Sequence, residues 1–296
     1  FLLILISLLS ACDKAENKPS GPVYTVRDES NQTNLRFAIH PLHNPKKLFK
    51  AYQPLVDYIN QQLPKIHIQL EASRDYQAFE DKFRARAPEI ILPNPWQTLQ
   101  AIKTGYQVSA MAGNREDFKG LFITKKDSPI QSIKQLKGKI LSYPSYTALA
   151  ACIMPQQFLH DKGINIKTDI INRYVGSQES AIMNVYLGES DIGVTWPIPW
   201  RLFQKDYPHY AQHLKVLWET PTLLNNAVMF RKDIPPETIS AITTILLNLH
   251  KHKPGKQILK SMQTQQFHPA DNQSYAEVET FIARFEQQVR PIESPF

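Results

Sequence analysis

The sequence predicts an α/β protein built as two lobes. Its 296 residues exceed what one compact core usually holds. Short strand-like apolar runs alternate with helix-period segments along most of the chain, which signals α/β layers with largely parallel sheets. A late strand at 227–231 leads back toward the first series of elements and is followed by three helices. A composition 42% hydrophobic and 21% charged is that of an ordinary globular protein.

Taken in order, Leu35–Ile39 reads as a strand. The next segment, Lys47–Leu63, carries Leu48, Tyr52, Leu55, Val56, Ile59 and Leu63 on one helical face. Ile66–Leu70 alternates as a strand, and Asp75 can cap a helix with Tyr76, Phe79 and Phe83 on one side. Glu89–Leu92 is a strand, Asn94-Pro95 a cap and first-turn proline, Gly105 a stop, and Val108–Met111 a further strand. Gly120–Thr124 is a strand, and Lys139–Ser142 opens a second series. Its helix spans Thr147–Lys162 and stops at Gly163. Strands follow at Asp169–Tyr174, Asp191–Thr195 and Leu214–Trp218, with a helix from Ser177 to Gly188 between the first two. After Ala227–Arg231 come helices at Pro236–Leu249, Pro254–Met262 and Ser274–Val289, the last with a Ser274/Glu277 capping box.

The N-terminus carries a different message. Phe1–Leu9 is apolar but too short to span a bilayer, and it reads as the core of a secretory signal whose start is missing. The run ends Leu9-Ser10-Ala11-Cys12, the pattern of a bacterial lipobox, so residues 1–12 are expected to be a signal peptide and Cys12 the lipidated residue. More than one acyl chain gives stable anchoring. Asp13 after that cysteine points to retention at the inner membrane. Residues 13–34 are polar, rich in turn formers, and read as a flexible tether. With Cys12 modified, Cys152 has no partner, so an inert buried thiol is expected rather than a disulfide. The net charge of +7 is scattered, without a long basic run, and reads as a solvated surface.

Several stretches together resemble a known family. These are Leu35-Arg36-Phe37-Ala38-Ile39, Asn44-Pro45, Tyr52-Gln53-Pro54-Leu55-Val56-Asp57-Tyr58, Asp75-Tyr76, Leu136-Lys137-Gly138-Lys139, Gly188-Glu189-Ser190-Asp191-Ile192-Gly193, Trp218-Glu219-Thr220-Pro221 and Phe230-Arg231-Lys232-Asp233. Their order and spacing over roughly residues 35–250 resemble phosphate/phosphite/phosphonate-binding proteins of ABC transporters, the PhnD-like group. The resemblance implies a type II periplasmic-binding-protein fold with a ligand cleft between the lobes. Lobe 1 would comprise 35–122 plus 227–296, lobe 2 would comprise 123–226, and the two connecting strands would form the hinge.

The resemblance also implies a site. Family members bind the phosphonate with small hydroxyl residues at a helix N-terminus of the second lobe, where free N–H groups and the helix dipole favour anions. Here that hydroxyl cluster falls on Ala148, Leu149 and Ala150, which donate nothing through their side chains; Tyr143, Ser145 and Thr147 lie just before, and Ser145 or Thr147 can equally serve as a plain helix cap. Tyr76 matches a contact tyrosine of the family. Its second contact tyrosine falls on Pro93, its contact histidine on Gln178 and its carboxylate on Asn226. Both of the last two hydrogen-bond but carry no charge. His40, Asn94, Trp96 and Trp196 stand at strand ends, where open α/β sheets bind ligands, and the two tryptophans are candidates for stacking on a ring or an apolar group. His40 and the tryptophans, like Trp200, have structural packing as the competing assignment.

No Gly-rich phosphate loop, nucleophile elbow or zinc-hydrolase motif is present, so no enzyme, cofactor or metal is expected. The pairs His40/His43 and His209/His213 have metal-like spacing but lack converging partners. Nucleic-acid binding does not suit an exported chain. The expectation is a periplasmic solute-binding lipoprotein, anchored to the inner membrane through Cys12. It acts as a monomer, captures a small phosphonate-related or less charged ligand and delivers it to an ABC permease. A ligand-sensing lipoprotein that signals to a membrane kinase or cyclase is the alternative.

Overall fold

The computed structural model describes residues 32–293; the expected signal, Cys12 and residues 13–31 of the expected tether lie outside that range. Thr33 and Asn34, the last tether residues, are instead part of the first strand. They pair with Ile66 and His67, which satisfies their backbone groups.

The first series runs β1 (Thr33–Ile39), α1 (Pro45–Gln62), β2 (Ile66–Glu71), α2 (Tyr76–Arg84), β3 (Ile90–Leu92), α3 (Pro95–Lys103) and β4 (Tyr106–Ala112). The second runs β5 (Leu121–Lys125), β6 (Ile140–Tyr143), α4 (Met154–Asp161), β7 (Ile171–Tyr174), α5 (Gln178–Leu187), β8 (Ile192–Thr195), α6 (Pro197–Asp206), α7 (Pro208–Ala211) and β9 (Leu214–Glu219). The chain then returns through β10 (Ala227–Arg231), α8 (Pro236–Asn248), α9 (Lys253–Ser261), β11 (Phe267–Pro269) and α10 (Ala276–Gln288). Two sheets result, with strand orders β11-β4-β10-β3-β1-β2 and β7-β6-β8-β5-β9. We call the parts built on them lobe 1 and lobe 2.

The sheets are mixed rather than largely parallel. β1 runs parallel to β2 and β3, and β6 parallel to β7 and β8. The returning strand β10 lies antiparallel between β3 and β4, and β5 lies antiparallel between β8 and β9. Each is a strand joined to a crossing between the sheets, at 113–120 and 220–226. These crossings are held together by Thr220 N–H donating to Gly120 O (2.9 Å) and Leu223 N–H donating to Phe118 O (3.0 Å).

Helix α1 buries Leu48, Tyr52, Leu55, Val56 and Ile59 on the stripe that its spacing predicts. Asp75, Asn94 and Ser177 cap α2, α3 and α5 through their side chains, and Gly188 stops α5 at φ 81°. The glycine that closes the 188–193 stretch has a packing reason. A Cβ on Gly193 would meet Ala181 O at 2.3 Å, so its absence lets α5 lie against β8.

Two expected elements differ. The helix expected over 147–162 begins as a π-helix, Leu149–Ile153, before α4. Ile153 N–H reaches back five residues to Ala148 O (3.1 Å), a widening that accommodates Pro155, which has no N–H and crowds the preceding turn. The Ser274/Glu277 capping box does not form. Ser274 gives both its N–H and its hydroxyl to Asp271 Oδ1 (2.8 Å each), α10 starts at Ala276, and Glu277 pairs with Arg115 instead (2.5 and 2.8 Å). The charged Asp271 is the stronger acceptor for those donors.

Candidate functional site

In both sheets the carboxyl ends of the parallel strands face helix N-termini, and these two rims meet. On lobe 1, His40 follows β1, Asn94 follows β3, and Tyr76 opens α2. Asn226 immediately precedes β10, the strand that lies beside β3, and its carbonyl accepts from Ala112 N–H (2.8 Å). On lobe 2, Tyr143 ends β6, Thr147 precedes the π-helix, Gln178 opens α5 and Trp196 follows β8.

Neutral hydrogen bonds join the rims. Gln178 Nε2 donates to Tyr76 Oη (3.1 Å), and Thr195 Oγ1 donates to Gln178 Oε1 (2.9 Å). Asn94 Nδ2 donates to Thr147 O (3.2 Å) while its Oδ1 caps α3 at Gln97 N (3.0 Å). Gln97 Nε2 continues the chain to Glu80 Oε1 (3.0 Å), and the Thr147 hydroxyl also reaches Glu80. Tyr146 Oη donates to Gln77 Oε1 (3.3 Å), so the 145–147 turn sits on α2 through several polar contacts. Ser145 turns inward, its Oγ accepting from Thr147 N (3.2 Å).

Burial in the interior of this seam favours neutral groups. His40 is buried with Nδ1 2.9 Å from Leu92 O, and burial lowers its pKa to about 4 despite that bond, so it is uncharged at neutral pH. Burial likewise raises the Glu80 pKa, against the pull of Gln97, Thr147 and Arg84. Asn226 Oδ1 is buried without a hydrogen-bond partner. A cavity of about 70 Å³ lies between the lobes, bordered by His43, Asn44 and Lys47 on one side and Ser177, Gln178 and Glu179 on the other. Desolvation, then the neighbouring His40 and Lys47, lowers the His43 pKa to about 3.

The structure thus brings His40, Tyr76, Asn94 and Asn226 to one rim and Ser145, Thr147 and Gln178 to the other. Trp96 (1% exposed) and Trp196 (2%) are sealed in the core as the lobes stand, Trp196 against Phe118, and neither offers a free ring face. Trp200 packs on Phe203 under α6. Tyr143 is buried beside Tyr174 inside lobe 2. Among the described residues no group of three or more His, Cys, Asp or Glu side chains stands ready to hold a metal ion. Sequence reasoning missed Glu80 and Gln97, although an acidic residue between Phe79 and Phe83 on an apolar stripe, and Gln three residues after Asn94, were signals for both. It also missed Lys47, whose partners lie more than 130 residues away.

Comparisons with known proteins agree with this architecture. Residues 37–275 match the family model described as ABC transporter, phosphonate, periplasmic substrate-binding protein. The "Probable ABC transporter phosphite binding protein PhnD1" of Prochlorococcus marinus (strain MIT 9301) is 24% identical over 275 residues, 88% of this chain and 91% of that protein. A crystal structure of PhnD1 from Prochlorococcus marinus in complex with methylphosphonate superposes with a TM-score of 0.78 at 22% identity, over 86% of this chain and 99% of that one. The structure of a binding protein component of an ABC phosphonate transporter from Pseudomonas aeruginosa gives 0.79 at 15% identity, over 87% and 88%. With the type II periplasmic-binding-protein fold, its two sheets meeting rim to rim, and a family match over most of its length, this chain belongs to the periplasmic substrate-binding proteins of ABC phosphonate transporters.

Proposed function

We propose that this protein is a lipid-anchored receptor that closes its two lobes on a small, weakly charged ligand and delivers it to an inner-membrane permease. The observation that carries the ligand class is the neutral chain Thr195–Gln178–Tyr76 across the seam, where the family resemblance sets a histidine at the position of Gln178. Gln178 cannot become cationic, His40 stays uncharged at neutral pH, and the Ser145 and Thr147 hydroxyls are engaged with each other. A dianionic phosphonate needs several charge-assisted hydrogen bonds, each worth roughly 1.5–3 kcal/mol, so the loss of two weakens binding by orders of magnitude. The methylphosphonate held by PhnD1 supports a phosphonate-like shape for the ligand, and the missing charge supports a less ionised relative. Asn226 Oδ1 accepts a neutral donor from it.

Calorimetry with phosphate, phosphite, methylphosphonate and 2-aminoethylphosphonate tests this reading. Binding weaker than about 1 μM, equivalent to about 8 kcal/mol, is expected for all four. Submicromolar affinity for any one of them overturns the ligand class while leaving the receptor role in place. No observation favours the sensory alternative.

A further inference from the structure

Lys47 stands on the first turn of α1, where its own N–H is already used by the Asn44 cap (3.0 Å). Its ammonium leaves lobe 1 altogether. Nζ lies 2.5 Å from Glu179 Oε2 on α5 and 3.0 Å from Asp206 Oδ2 at the end of α6. It also lies 3.4 Å from Tyr207 Oη and 4.5 Å from the centre of that ring. Tyr207 Oη donates in turn to Glu179 Oε1 (2.8 Å). Among the described residues neither carboxylate has another cation within 4.0 Å, and Lys47 has no acid of its own lobe there. The cluster borders the cavity between the lobes, and its side chains are 23–36% exposed, so it sits where the seam meets solvent.

We infer that Lys47 is a cross-lobe latch that determines specificity: the protein itself provides the ion pairs that draw the lobes together, and a ligand need not bring the charge. Opening separates one cation from two carboxylates and leaves those two repelling each other in lobe 2. Closing restores the attraction whatever lies in the cleft. With two carboxylates against one ammonium, the closed seam keeps a net negative charge at this edge. That charge disfavours a dianion and tolerates a neutral or singly charged ligand. The link from latch to ligand class rests on the proposed function, but the latch can be read without any ligand.

The test is small-angle scattering of the ligand-free protein at about 0.02 M and about 0.5 M salt, for the wild type, Lys47→Met, and Glu179→Gln with Asp206→Asn. Thermal unfolding confirms that each variant is folded. Wild type is expected to be more compact at low salt than at high salt. Both variants are expected to be expanded and markedly less sensitive to salt than the wild type, with the closed-to-open ratio about ten-fold lower. Equal radii of gyration for wild type and Lys47→Met, or a wild type indifferent to salt, overturn the latch. Tight phosphonate binding in the calorimetry would overturn the ligand class and leave the latch standing.

Discussion

Arg290 is 2% exposed and reaches from the end of α10 into lobe 2. Its Nε donates to Gln156 Oε1 (2.9 Å) and its Nη2 to Tyr146 O (2.9 Å), with Cys152 Sγ 3.6 Å away. Truncation to alanine leaves buried acceptors unpaired, so Arg290→Ala is expected to cost about 2–4 kcal/mol in urea unfolding. Burial pushes the Cys152 thiol up to about 11 against the pull of Arg290. The native protein should therefore resist alkylation at about pH 8 and react once unfolded; rapid labelling of folded protein would contradict that burial. Glu80 makes a pH prediction. A carboxyl whose folded-state pKa is raised binds its proton more tightly when folded. The native state is then favoured below the unfolded value, 4.5, and loses that advantage as pH rises through the raised one. Glu80→Gln, which does not ionise, is expected to exceed wild-type stability at about pH 7–8 and to match it near pH 4. His40 works in the opposite direction, losing stability as pH falls from 6.5 to about 4, but it is common to both proteins and cancels in the comparison. Tyr76, Asn94 and Gln178 were legible as rim residues because caps and strand ends mark their places. Arg290 was not, since its partners lie 134 and 144 residues earlier and no local pattern links them.

At the scale of elements, caps and stops carried most of the reading. Asp75, Asn94, Ser177 and Gly188 bound their helices as local hydrogen-bond chemistry dictates. Strand direction was not legible, because an alternating apolar run reads the same both ways, and so the antiparallel placement of β5 and β10 had to come from the fold. Strand β11 escaped because it is three residues long and ends in a proline. The π-helix escaped because periodicity registers its apolar residues without registering the turn width. The contact of α5 with β8 gives the element-scale prediction. A methyl on Gly193 would lie 2.3 Å from Ala181 O and 2.8 Å from Val185 Cγ2. The first atom is helix backbone, so α5 must shift. Gly193→Ala is expected to lower unfolding free energy by about 3 kcal/mol or to leave an insoluble protein, and a wild-type urea midpoint would show that α5 can slide freely.

For the whole molecule, two lobes could be read from length and alternation, whereas which rims touch could not, since those contacts join residues 53 to 160 positions apart. A ligand between rims shifts an open–closed equilibrium by its differential affinity. Saturation with the true ligand is expected to reduce the radius of gyration below that of the free protein at high salt, and tight binding without compaction would count against closure. Anchoring is a second prediction at this scale. The precursor expressed in bacteria should incorporate a fatty-acid probe and partition into membranes, and Cys12→Ser should abolish labelling; labelling that survives the substitution removes Cys12 as the modified residue.

The seam along α10 also bears on how far the lobes part. Arg284 pairs with Asp161 (2.6 Å), Gln288 accepts from Gln157 (3.0 Å), and Arg290 is sunk beside the π-helix, so the end of a lobe 1 helix is fastened to lobe 2 in addition to the two chain crossings. Three fastenings leave fewer rotational degrees of freedom than two. If the tail holds during opening, the aperture widens mainly on the Lys47 side and its angular range is short. Bulky solutes are then turned away at the doorway before any group in the cleft examines their chemistry.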